Sequence, residues 1–328
     1  MPNGTLLLSR ADVAALLTLE DCIVAVEEVF REHGEGKTPA PKILGMPSAD
    51  GAFHIKAALL GSSLPYFAVK GNGNFSQNPQ RFGLPTVQGL ILLHNAANGR
   101  PLAVMDSIEI TILRTGAATA VAAKRLARPD SKTATICGCG VQGRVQLAAL
   151  RTVLPLQQIY AFDLNEAQAS RFEQECSKDA GIKVEAVRDL AVAVRRSDVC
   201  VTCTPARKFF LHKDYVAPGT FVAAVGTDDE DKQEVDPELM ASSKVVADII
   251  DQCAEIGDLH HAISAGLMQP NHVHAELGEL VAGKKPGRTS AEEITIFDST
   301  GTALQDVAAA AMVYERAAEA GRGIWFQF

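Results

Sequence analysis

The first third of the chain changes its hydrophobic period from helical to strand-like. Over residues 9–34, apolar positions recur at helical spacing behind Ser9, a residue type that caps helices, which predicts two helices. Beyond them, short apolar runs stand between clusters of Gly, Asn and Pro, a pattern typical of strands in an antiparallel or mixed sheet. The strands predicted here are Phe53–Ala57, Tyr66–Val69 and Val87–Leu93.

From Thr133 onward, short apolar runs alternate with helical segments. Such alternation is typical of βαβ units, which build a doubly wound parallel sheet. Two Ala-rich segments, Thr111–Arg128 and Ala303–Ala320, are predicted to be helices, and the second returns the chain to its first part. The strands predicted in the alternating region are Thr133–Cys137, Gln158–Phe162, Lys183–Ala186, Val199–Thr204, Phe221–Val225, Lys244–Ala247 and Glu293–Phe297.

A glycine-rich turn follows the first strand of this region. Gly138, Gly140 and Gly143 form a complete G-x-G-x-x-G between an apolar strand and a helical segment. In dinucleotide-binding folds the first glycine permits the tight turn, the second lets the backbone approach the pyrophosphate, and the third lets the helix pack on the strand. Asp163 ends the next strand, where an acid can accept hydrogen bonds from the adenosine ribose. Because a carboxylate there repels a 2′-phosphate, the sequence predicts NAD rather than NADP.

Composition and charge exclude several classes of partner. The 328 residues suit two domains of ordinary globular composition, with 47% hydrophobic and 21% charged residues. A formal net charge of −8 without a basic cluster argues against nucleic acid. The sequence has no apolar stretch long enough to span a membrane, and residues 1–5 do not resemble a signal peptide. Seven cysteines, an odd count without framework spacing, fit a cytoplasmic protein.

No metal site is predicted. Cys200 and Cys203 form a C-x-x-C, but no second pair of ligands with matching spacing accompanies them. His260 and His261 are adjacent, and adjacent residues of a helix do not face the same way.

Four motifs in a fixed order resemble a known family. They are Arg114-Thr115-Gly116-Ala117-Ala118, the glycine turn, Ala224-Val225-Gly226-Thr227-Asp228 and Phe297-Asp298-Ser299-Thr300-Gly301. The chain is similar in this respect to the ornithine cyclodeaminase/μ-crystallin family, and residues 232–236 and 292–306 resemble its archaeal-type alanine dehydrogenases. The resemblance implies an α/β fold, with a Rossmann doubly wound parallel sheet and a second α+β domain formed by both chain ends. We therefore expect an NAD-binding domain at 119–302, a substrate-binding and dimerisation domain at 1–118 and 303–328, and a homodimer.

The resemblance, together with side-chain chemistry, assigns roles to particular residues. Arg114 is expected to hold a substrate carboxylate, since a guanidinium binds carboxylate bidentately, with further contacts from Lys70 and Lys42. Asp228 follows a strand and a glycine, at the edge where doubly wound sheets bind ligands, and is expected to be the general acid/base, with Lys70 assisting proton transfer. Besides the three glycines and Asp163, the residues expected at the cofactor are Thr115, Val141, Gln142, Thr202, Thr204, Pro205, Val225, Gly226, Asp298, Ser299 and Gly301.

The distal substrate pocket departs from the cyclodeaminase pattern. His54 stands where cyclodeaminases have a Glu near the side-chain amine of ornithine, and Lys56 replaces a nearby methionine. These changes remove an acceptor for a cation, so ornithine should fit poorly. Alanine, another small amino acid, a cyclic imino acid or a substrate with a second carboxylate should fit better.

The sequence therefore predicts an NAD-dependent enzyme that transfers a hydride at the α-carbon of a small amino or imino acid, as alanine dehydrogenases and imine reductases do. Two alternatives stay open. One is an ornithine cyclodeaminase, which releases ammonia and recycles NAD. The other is a dinucleotide-dependent binding protein without turnover, like μ-crystallin.

Overall fold

The computed structural model describes residues 4–60, 65–178 and 181–328. The chain forms two compact units, one made of Met1–Arg114 and Thr302–Phe328 and the other of Thr115–Gly301. The domain boundaries predicted from the sequence are 118/119 and 302/303. Residues 1–3, part of the segment on which the expectation about a signal peptide rested, lie outside the described residues. Within the described ranges, no helix is both long and apolar enough to cross a membrane.

Seven strands of the first unit form one mixed sheet. In the numbering of the whole chain, the strands are β1 (Thr5–Leu8), β2 (Lys42–Ser48), β3 (Gly51–Leu59), β4 (Tyr66–Asn74), β5 (Val87–Asn95), β6 (Pro101–Asp106) and β17 (Ile324–Phe326). The helices are α1 (Arg10–Leu16), α2 (Leu19–Gly34), α3 (Asn78–Phe82) and α12 (Ala303–Ala320). The spatial order is β17-β1-β6-β5-β4-β3-β2, and only the β1–β6 pair is parallel.

The two faces of this sheet have different surroundings. Ala58, Ala68 and Leu93 are buried on one face, where α12 packs against β3, β4 and β5. Cross-strand register decides which residues share a face, because side chains alternate along a strand. The opposite face carries large apolar side chains that are about half exposed, namely Leu44, Met46, Phe53, Leu90 and Leu92.

The second unit contains a parallel sheet of eight strands. These are β7 (Thr133–Cys137), β8 (Gln158–Phe162), β9 (Lys183–Ala186), β10 (Val199–Thr202), β12 (Phe221–Ala224), β14 (Lys244–Ala247), β15 (Ala275–Glu276) and β16 (Thr295–Asp298). The short strands β11 (Arg207–Leu211) and β13 (Gln233–Val235) pair separately. The helices are α4 (Ile108–Leu126, which begins in the first unit), α5 (Val141–Arg151), α6 (Glu166–Cys176), α7 (Leu190–Arg195), α8 (Pro237–Ala241), α9 (Ile250–Ile256), α10 (Asp258–Ser264) and α11 (Leu277–Val281).

The strand order of this sheet creates a ligand-binding crevice. The order is β15-β14-β16-β12-β10-β7-β8-β9, so the chain runs outward from β7 to β9 and then returns to β10 beside β7. At such a switch point, doubly wound sheets bind ligands outside the carboxyl ends of the strands. The predicted fold class, an α/β protein with a doubly wound parallel sheet of the Rossmann type and a second α+β part, is confirmed. The substrate-binding and dimerisation roles of that second part stay predictions.

Strands that were not predicted from the sequence lie in both units, and β2 of the first unit shows why. β2 is exposed along most of its length and contains Gly45 and Pro47, residue types that usually signal a turn. It forms the edge of its sheet, where proline is tolerated because its missing N–H can face away from the ladder. In the first unit β1, β6 and β17 were also not predicted, and in the second unit the same holds for the short strands β11, β13 and β15.

Candidate active site

The glycine turn lies at the point where the strand order of the parallel sheet reverses. It follows β7, and the loop after β10 passes directly beside it, since a Cβ built on Gly138 would lie 2.8 Å from the carbonyl oxygen of Cys203. Gly138 has a φ of +101°, a conformation that L side chains rarely adopt. Both the backbone and the space therefore require glycine here, and the turn occupies the crevice at the switch point.

The other two glycines of the turn differ in what surrounds them. Gly143, in the first turn of α5, is buried against the backbone of Gly138, so the helix packs directly on the turn. Gly140 is the N-cap of α5, and a Cβ there would meet no atom within 4 Å. Val141 is exposed and Gln142 is partly buried beside this open space. Since amides in the first turn of a helix lack intrahelical partners, this cradle suits a phosphate group.

Asp163 lies at the end of β8, against the same turn. Its carboxylate accepts hydrogen bonds from the backbone N–H groups of Cys139 and Asn165, each at 2.9 Å. The side chain stays partly exposed, so it can also face a ligand in the crevice. Arg144 instead donates to the carbonyl oxygen of Cys139 at 2.7 Å and pairs with Glu175 at 2.6 Å. Its guanidinium therefore stabilises the turn from the protein side.

A buried carboxylate joins the two loops beside the turn. Glu234 on β13 accepts hydrogen bonds from the backbone N–H and hydroxyl of Thr204, at 2.6 and 2.7 Å, and from the N–H of Gly226 at 3.0 Å. Thr204 follows β10 and Gly226 follows β12, so one side chain fixes the loops after two neighbouring strands. Burial, reinforced by the nearby Asp258 carboxylate, raises the pKa of Glu234 to about 7. The other cofactor candidates in these segments are the buried Thr202, the exposed Pro205 and the partly buried Val225.

Hydrogen bonds to buried carboxylates of the second unit fix the loop after β16. Asp298 is fully buried, and its carboxylate accepts hydrogen bonds from the N–H groups of Asp258 and Leu259 where α10 begins, at 3.3 and 2.9 Å. Asp248 accepts a hydrogen bond from Gly301 N–H at 2.7 Å and another from the Ser299 hydroxyl at 3.2 Å. The side chains of Asp298 and Ser299 thus have structural partners, and their expected contact with a cofactor stays a prediction.

Asp228 follows β12 and forms an ion pair that the sequence analysis did not predict. The Nζ atom of Lys232 lies 2.5 Å from an Asp228 carboxylate oxygen. The Asp228 side chain is 39% exposed and that of Lys232 is 18% exposed. Burial lowers the pKa of Lys232, but Asp228 and other nearby carboxylates outweigh burial, so its pKa is raised overall. Asp228 is thus accessible, and its partner is a lysine that stays charged at neutral pH.

A second group of charged side chains is buried in the first unit. The Nζ atom of Lys70 on β4 lies 2.7 and 2.8 Å from the two carboxylate oxygens of Asp306 on α12. The Nε atom of Arg114 on α4 lies 3.2 Å from the same carboxylate, and Arg114 also donates to Gln305 at 2.9 Å. The side chains of Lys70, Arg114 and Asp306 are only 3%, 7% and 2% exposed. Two cations around one carboxylate give this group a net positive charge when both are protonated, which suits an anionic ligand.

Burial changes the protonation chemistry of this group. Desolvation lowers the pKa of Lys70 to about 7, opposed by Asp306 and reinforced by Arg114 and Lys56. Lys70 can therefore gain or lose a proton near neutral pH, which an ordinary lysine does not. Burial alone would raise the pKa of Asp306, but Lys70 and Arg114 outweigh it and lower that pKa. Asp306 thus remains a carboxylate.

Strand register places two further substrate candidates on the same face as Lys70. Lys56 on β3 lies directly opposite Lys70, and His54 lies opposite Asn72. Lys56 is buried, and its charge acts on both Lys70 and Asp306. The structure therefore brings three of the predicted cations, Lys56, Lys70 and Arg114, into one electrostatic group.

Lys42 is not brought into this group. Its register partner on β3 is Ala57, which alternates with Lys56 along the strand. Lys42 therefore lies on the sheet face opposite to that of Lys56 and Lys70. Its expected contact with a substrate carboxylate stays a prediction that the register does not favour.

The cysteine and histidine motifs form no metal centre in the parts of the chain that the structure describes. Over those ranges, no group of three or more His, Cys, Asp or Glu side chains is placed to hold a metal ion. Burial raises the pKa of Cys203 well above the usual range, which makes its thiol a poor ligand or nucleophile. His261 donates from Nε2 to the carbonyl oxygen of Lys232 at 2.7 Å, so it is a structural residue.

Residues 3–321 match the sequence profile of the ornithine cyclodeaminase/mu-crystallin family. The chain belongs to this family. It is 40% identical over 324 residues to the alanine dehydrogenase of Archaeoglobus fulgidus, a match that covers 99% of this chain and 98% of that protein. The family predicted from the four motifs is confirmed.

Solved structures of the ornithine cyclodeaminase/mu-crystallin family share the fold along the whole chain. An archaeal alanine dehydrogenase, solved as a dimer with bound NAD, superposes with a TM-score of 0.94 at 40% identity and covers 99% of both chains. The Δ1-pyrroline-2-carboxylate reductase of Thermococcus litoralis, solved with NADH and L-proline, superposes with a TM-score of 0.92 at 37% identity. That match covers 98% of this chain and 100% of the reductase.

Three residues of this family member were missed by sequence reasoning. Asp306 could have been noticed in the sequence, because it is an acidic residue in the first turn of an Ala-rich helix, and most residues of that helix are buried. Lys232 could also have been noticed, since it follows Asp228 by four residues. No sequence pattern points to Glu234, because only the pairing of β13 with β11 brings it beside Thr204 and Gly226.

Proposed function

We propose that this protein is an NAD-dependent oxidoreductase that transfers a hydride at the α-carbon of a small amino or imino acid. The observation that carries the proposal is the buried group Lys70, Arg114 and Asp306, because burying two cations around one carboxylate is costly unless an anion is to be bound. In this proposal, the unit Thr115–Gly301 binds NAD. The unit made of both chain ends binds the substrate.

Residues of the second unit fit NAD. The open cradle at Gly140 and the first turn of α5, with Val141 and Gln142, would hold the pyrophosphate. Asp163, fixed against the same turn, would accept from the ribose hydroxyls and would repel a 2′-phosphate, which favours NAD over NADP. When bound, NAD accepts or supplies the hydride that is exchanged with the substrate. The solved relatives that contain NAD or NADH support this choice.

The charged group of the first unit would hold the substrate carboxylate. Arg114 offers a planar guanidinium for bidentate contact, and Asp306 fixes its orientation through Nε. Lys70 adds a second donor when it is protonated, and it is poised to exchange a proton because its pKa is about 7. These residues bind and orient the substrate, and Lys70 can also move a proton.

Asp228 would act on the substrate nitrogen. As the hydride leaves the α-carbon of an amino acid, the nitrogen must lose a proton to reach the imine level, and a carboxylate beside it can take that proton. Asp228 lies at the carboxyl edge of the parallel sheet and is partly exposed, which are the properties such a base requires. It is the residue we assign as general base.

The charge of the distal group disfavours cyclodeaminase chemistry. By the family resemblance, the side-chain ammonium of a diamino acid such as ornithine would lie beside His54 and Lys56, and Lys56 is buried opposite Lys70. Adding a cation to a group of buried cations is unfavourable. A substrate with an apolar side chain, a ring or a second carboxylate avoids this repulsion.

The experiment measures activity on a panel of substrates through the change in NADH absorbance. Pyruvate with ammonia and Δ1-pyrroline-2-carboxylate are tested with NADH, L-alanine and L-proline with NAD, and L-ornithine for ammonia release. We expect NADH oxidation or formation with at least one of the monoamino or imino substrates. Arg114→Gln should raise KM by about 100-fold, since a buried charged contact to a carboxylate is lost. The matched control Arg81→Gln, an exposed cation, should leave KM unchanged.

Two outcomes contradict the proposal. Ammonia release from ornithine without net NADH change would favour the cyclodeaminase. Tight NADH binding with no turnover of any member of the panel would favour the binding protein.

We further propose that the protein forms a homodimer through the exposed apolar face of the first unit's sheet. Leu44, Met46, Phe53, Leu90 and Leu92 share that face, and exposed apolar patches of this kind mark interaction surfaces. A relative of the same fold, the archaeal alanine dehydrogenase, was solved as a dimer.

Light scattering after size-exclusion chromatography tests the homodimer. Wild type should have twice the chain mass, and Leu90→Glu should shift it toward the monomer. Leu267→Glu changes a similarly exposed leucine of the other unit and should have no effect. A monomeric wild type, or an equal effect of both substitutions, would contradict this proposal.

A further inference from the structure

The segment that carries Lys232 is held rigidly beside Asp228. Asp258 on α10 accepts hydrogen bonds from the N–H groups of Glu234 and Val235, at 2.8 and 2.9 Å. His261, on the same helix, donates to the carbonyl oxygen of Lys232 at 2.7 Å. The backbone of Lys232 is thus fixed from one side by α10. Its position does not depend on the ion pair with Asp228 alone.

The charges that face Lys232 all favour its protonated form. Asp228 and Asp229 belong to the loop after β12, and Glu234 belongs to β13 with Lys232's own segment. Together they outweigh the burial of Lys232 and keep its pKa raised. From α10, the ring of His261 reaches Lys232 only through the backbone carbonyl. Lys232 therefore presents a permanent positive charge to Asp228 across the 2.5 Å contact.

We propose that Lys232 is a positioning residue that keeps the Asp228 carboxylate ionised and in one orientation. The inference rests on the proposed role of Asp228 as the group that acts on the substrate nitrogen. A cation within about 4–6 Å of a carboxylate favours its charged form by about 1–3 pKa units. Asp228 is therefore held ready to accept a proton throughout the physiological range.

A direction of proton flow follows from this arrangement. In the oxidative direction, ionised Asp228 takes the proton that the substrate nitrogen loses. In the reductive direction the same step runs backwards, so the Asp228 carboxylate must first take up a proton from solvent, which it then returns to the substrate nitrogen. Lys232, which favours the ionised form of Asp228, opposes that uptake.

The test is the pH dependence of kcat/KM in the oxidative direction for Lys232→Met and Lys232→Arg. Lys232→Met should move the acid limb of the profile to higher pH by about 1–2 units, because the carboxylate loses its cation. Activity at neutral pH should change little, because the Asp228 carboxylate stays ionised there, and the loss should appear at acid pH. Lys232→Arg keeps the charge and should keep the limb in place. The matched control is Arg207→Met, which removes a nearby exposed cation that pairs with Asp231.

A readout other than activity separates positioning from general damage. The affinity for NADH, measured by fluorescence titration, should be unchanged in Lys232→Met, because the glycine turn and Asp163 are untouched. If Lys232→Met does not fold, Lys232→Gln serves as the neutral variant, with the same expectations. An unshifted acid limb, a shift equal to that of Arg207→Met, or loss of NADH affinity in parallel with activity would overturn the inference.

Asp228→Asn separates this inference from the proposed function. If Asp228→Asn is inactive while the neutral Lys232 variants keep the wild-type pH profile, only the role of Lys232 is wrong. If Asp228→Asn keeps full activity, Asp228 is not the base, and both the proposed mechanism and the inference are wrong.

Discussion

Replacing Asp306 by Asn would leave two buried cations without the carboxylate that they share. Removing one partner of a buried ion pair costs about 3–5 kcal/mol, because the remaining charge stays in the interior. Arg114 cannot avoid this cost, since a guanidinium does not lose its proton in proteins. Lys70 can avoid it, because burial has already lowered its pKa to about 7. Near pH 8 we therefore expect Asp306→Asn to lower the free energy of unfolding by about 3 kcal/mol, mainly through Arg114.

The loss should grow as the pH falls. Asp306 raises the pKa of Lys70 in the wild type, so in the variant that pKa lies below about 7. Between the two values, folded wild type binds a proton that the folded variant does not bind, while the unfolded chains are protonated alike. Wild type is therefore stabilised relative to the variant as protons are added. Each pH unit below 7 adds up to about 1.4 kcal/mol to the difference.

Urea unfolding at pH 8 and pH 6 measures both effects. Trp325 on β17 is the single tryptophan and belongs to the same unit as Asp306, so its fluorescence reports the unfolding of that unit. Asp50→Asn is the matched control, because Asp50 pairs with Arg81 at 2.8 Å but is 59% exposed, and exposed pairs contribute about 0–1 kcal/mol. The reasoning is refuted if Asp306→Asn loses no more stability than Asp50→Asn, or if its loss is the same at both pH values.

Three further outcomes are expected. Asp163→Ser should reduce the preference for NADH over NADPH by at least about tenfold in fluorescence titrations, because the charge that repels a 2′-phosphate is gone; an unchanged ratio would refute the role of Asp163. The inhibition constant of a competitive monocarboxylic acid should rise as the pH increases through about 7, because Lys70 loses its proton there while Arg114 stays charged; a flat profile would exclude Lys70 from carboxylate binding. Glu234→Ala should weaken NADH binding by about tenfold, because the loops at Thr204 and Gly226 lose their common acceptor, whereas Glu234→Gln, which keeps one acceptor oxygen, should lose less; equal losses would show that the hydrogen bonds do not matter.

Local sequence was sufficient for most strands of the second unit's parallel sheet and for the tail helix. The strands β7, β8, β9 and β14 and the helix α12 have the bounds that the hydrophobic pattern predicted. Strands buried on both faces of a parallel sheet are continuous apolar runs, and they end where turn residues begin. In the first unit the pattern was weaker, because strands such as β2 are exposed on both faces along most of their length.

The candidate nucleotide site could also be located from the sequence, because its parts follow one another along the chain. The glycine turn and Asp163 belong to one strand–helix–strand unit, so their proximity is fixed by local geometry. The loop that carries Asp228 could be placed at the same edge, since every strand of a parallel sheet has its carboxyl end there. The ion pair of Asp228 with Lys232 is local as well. The backbone of Lys232, however, is fixed by hydrogen bonds between α10 and the segment of β13, which are tertiary contacts.

The sequence by itself determined the fold class, the glycine turn and the residue types available for hydride and proton chemistry. Only the tertiary structure decided which charges meet. Lys70 and Asp306 are 236 residues apart and come together because α12 packs on the sheet that contains β4. Lys42 is excluded from that group by the register of β2 on β3, which a hydrophobic pattern cannot specify when both faces carry apolar residues. Contacts between distant segments depend on the packing of whole elements, and that packing is a property of the complete chain.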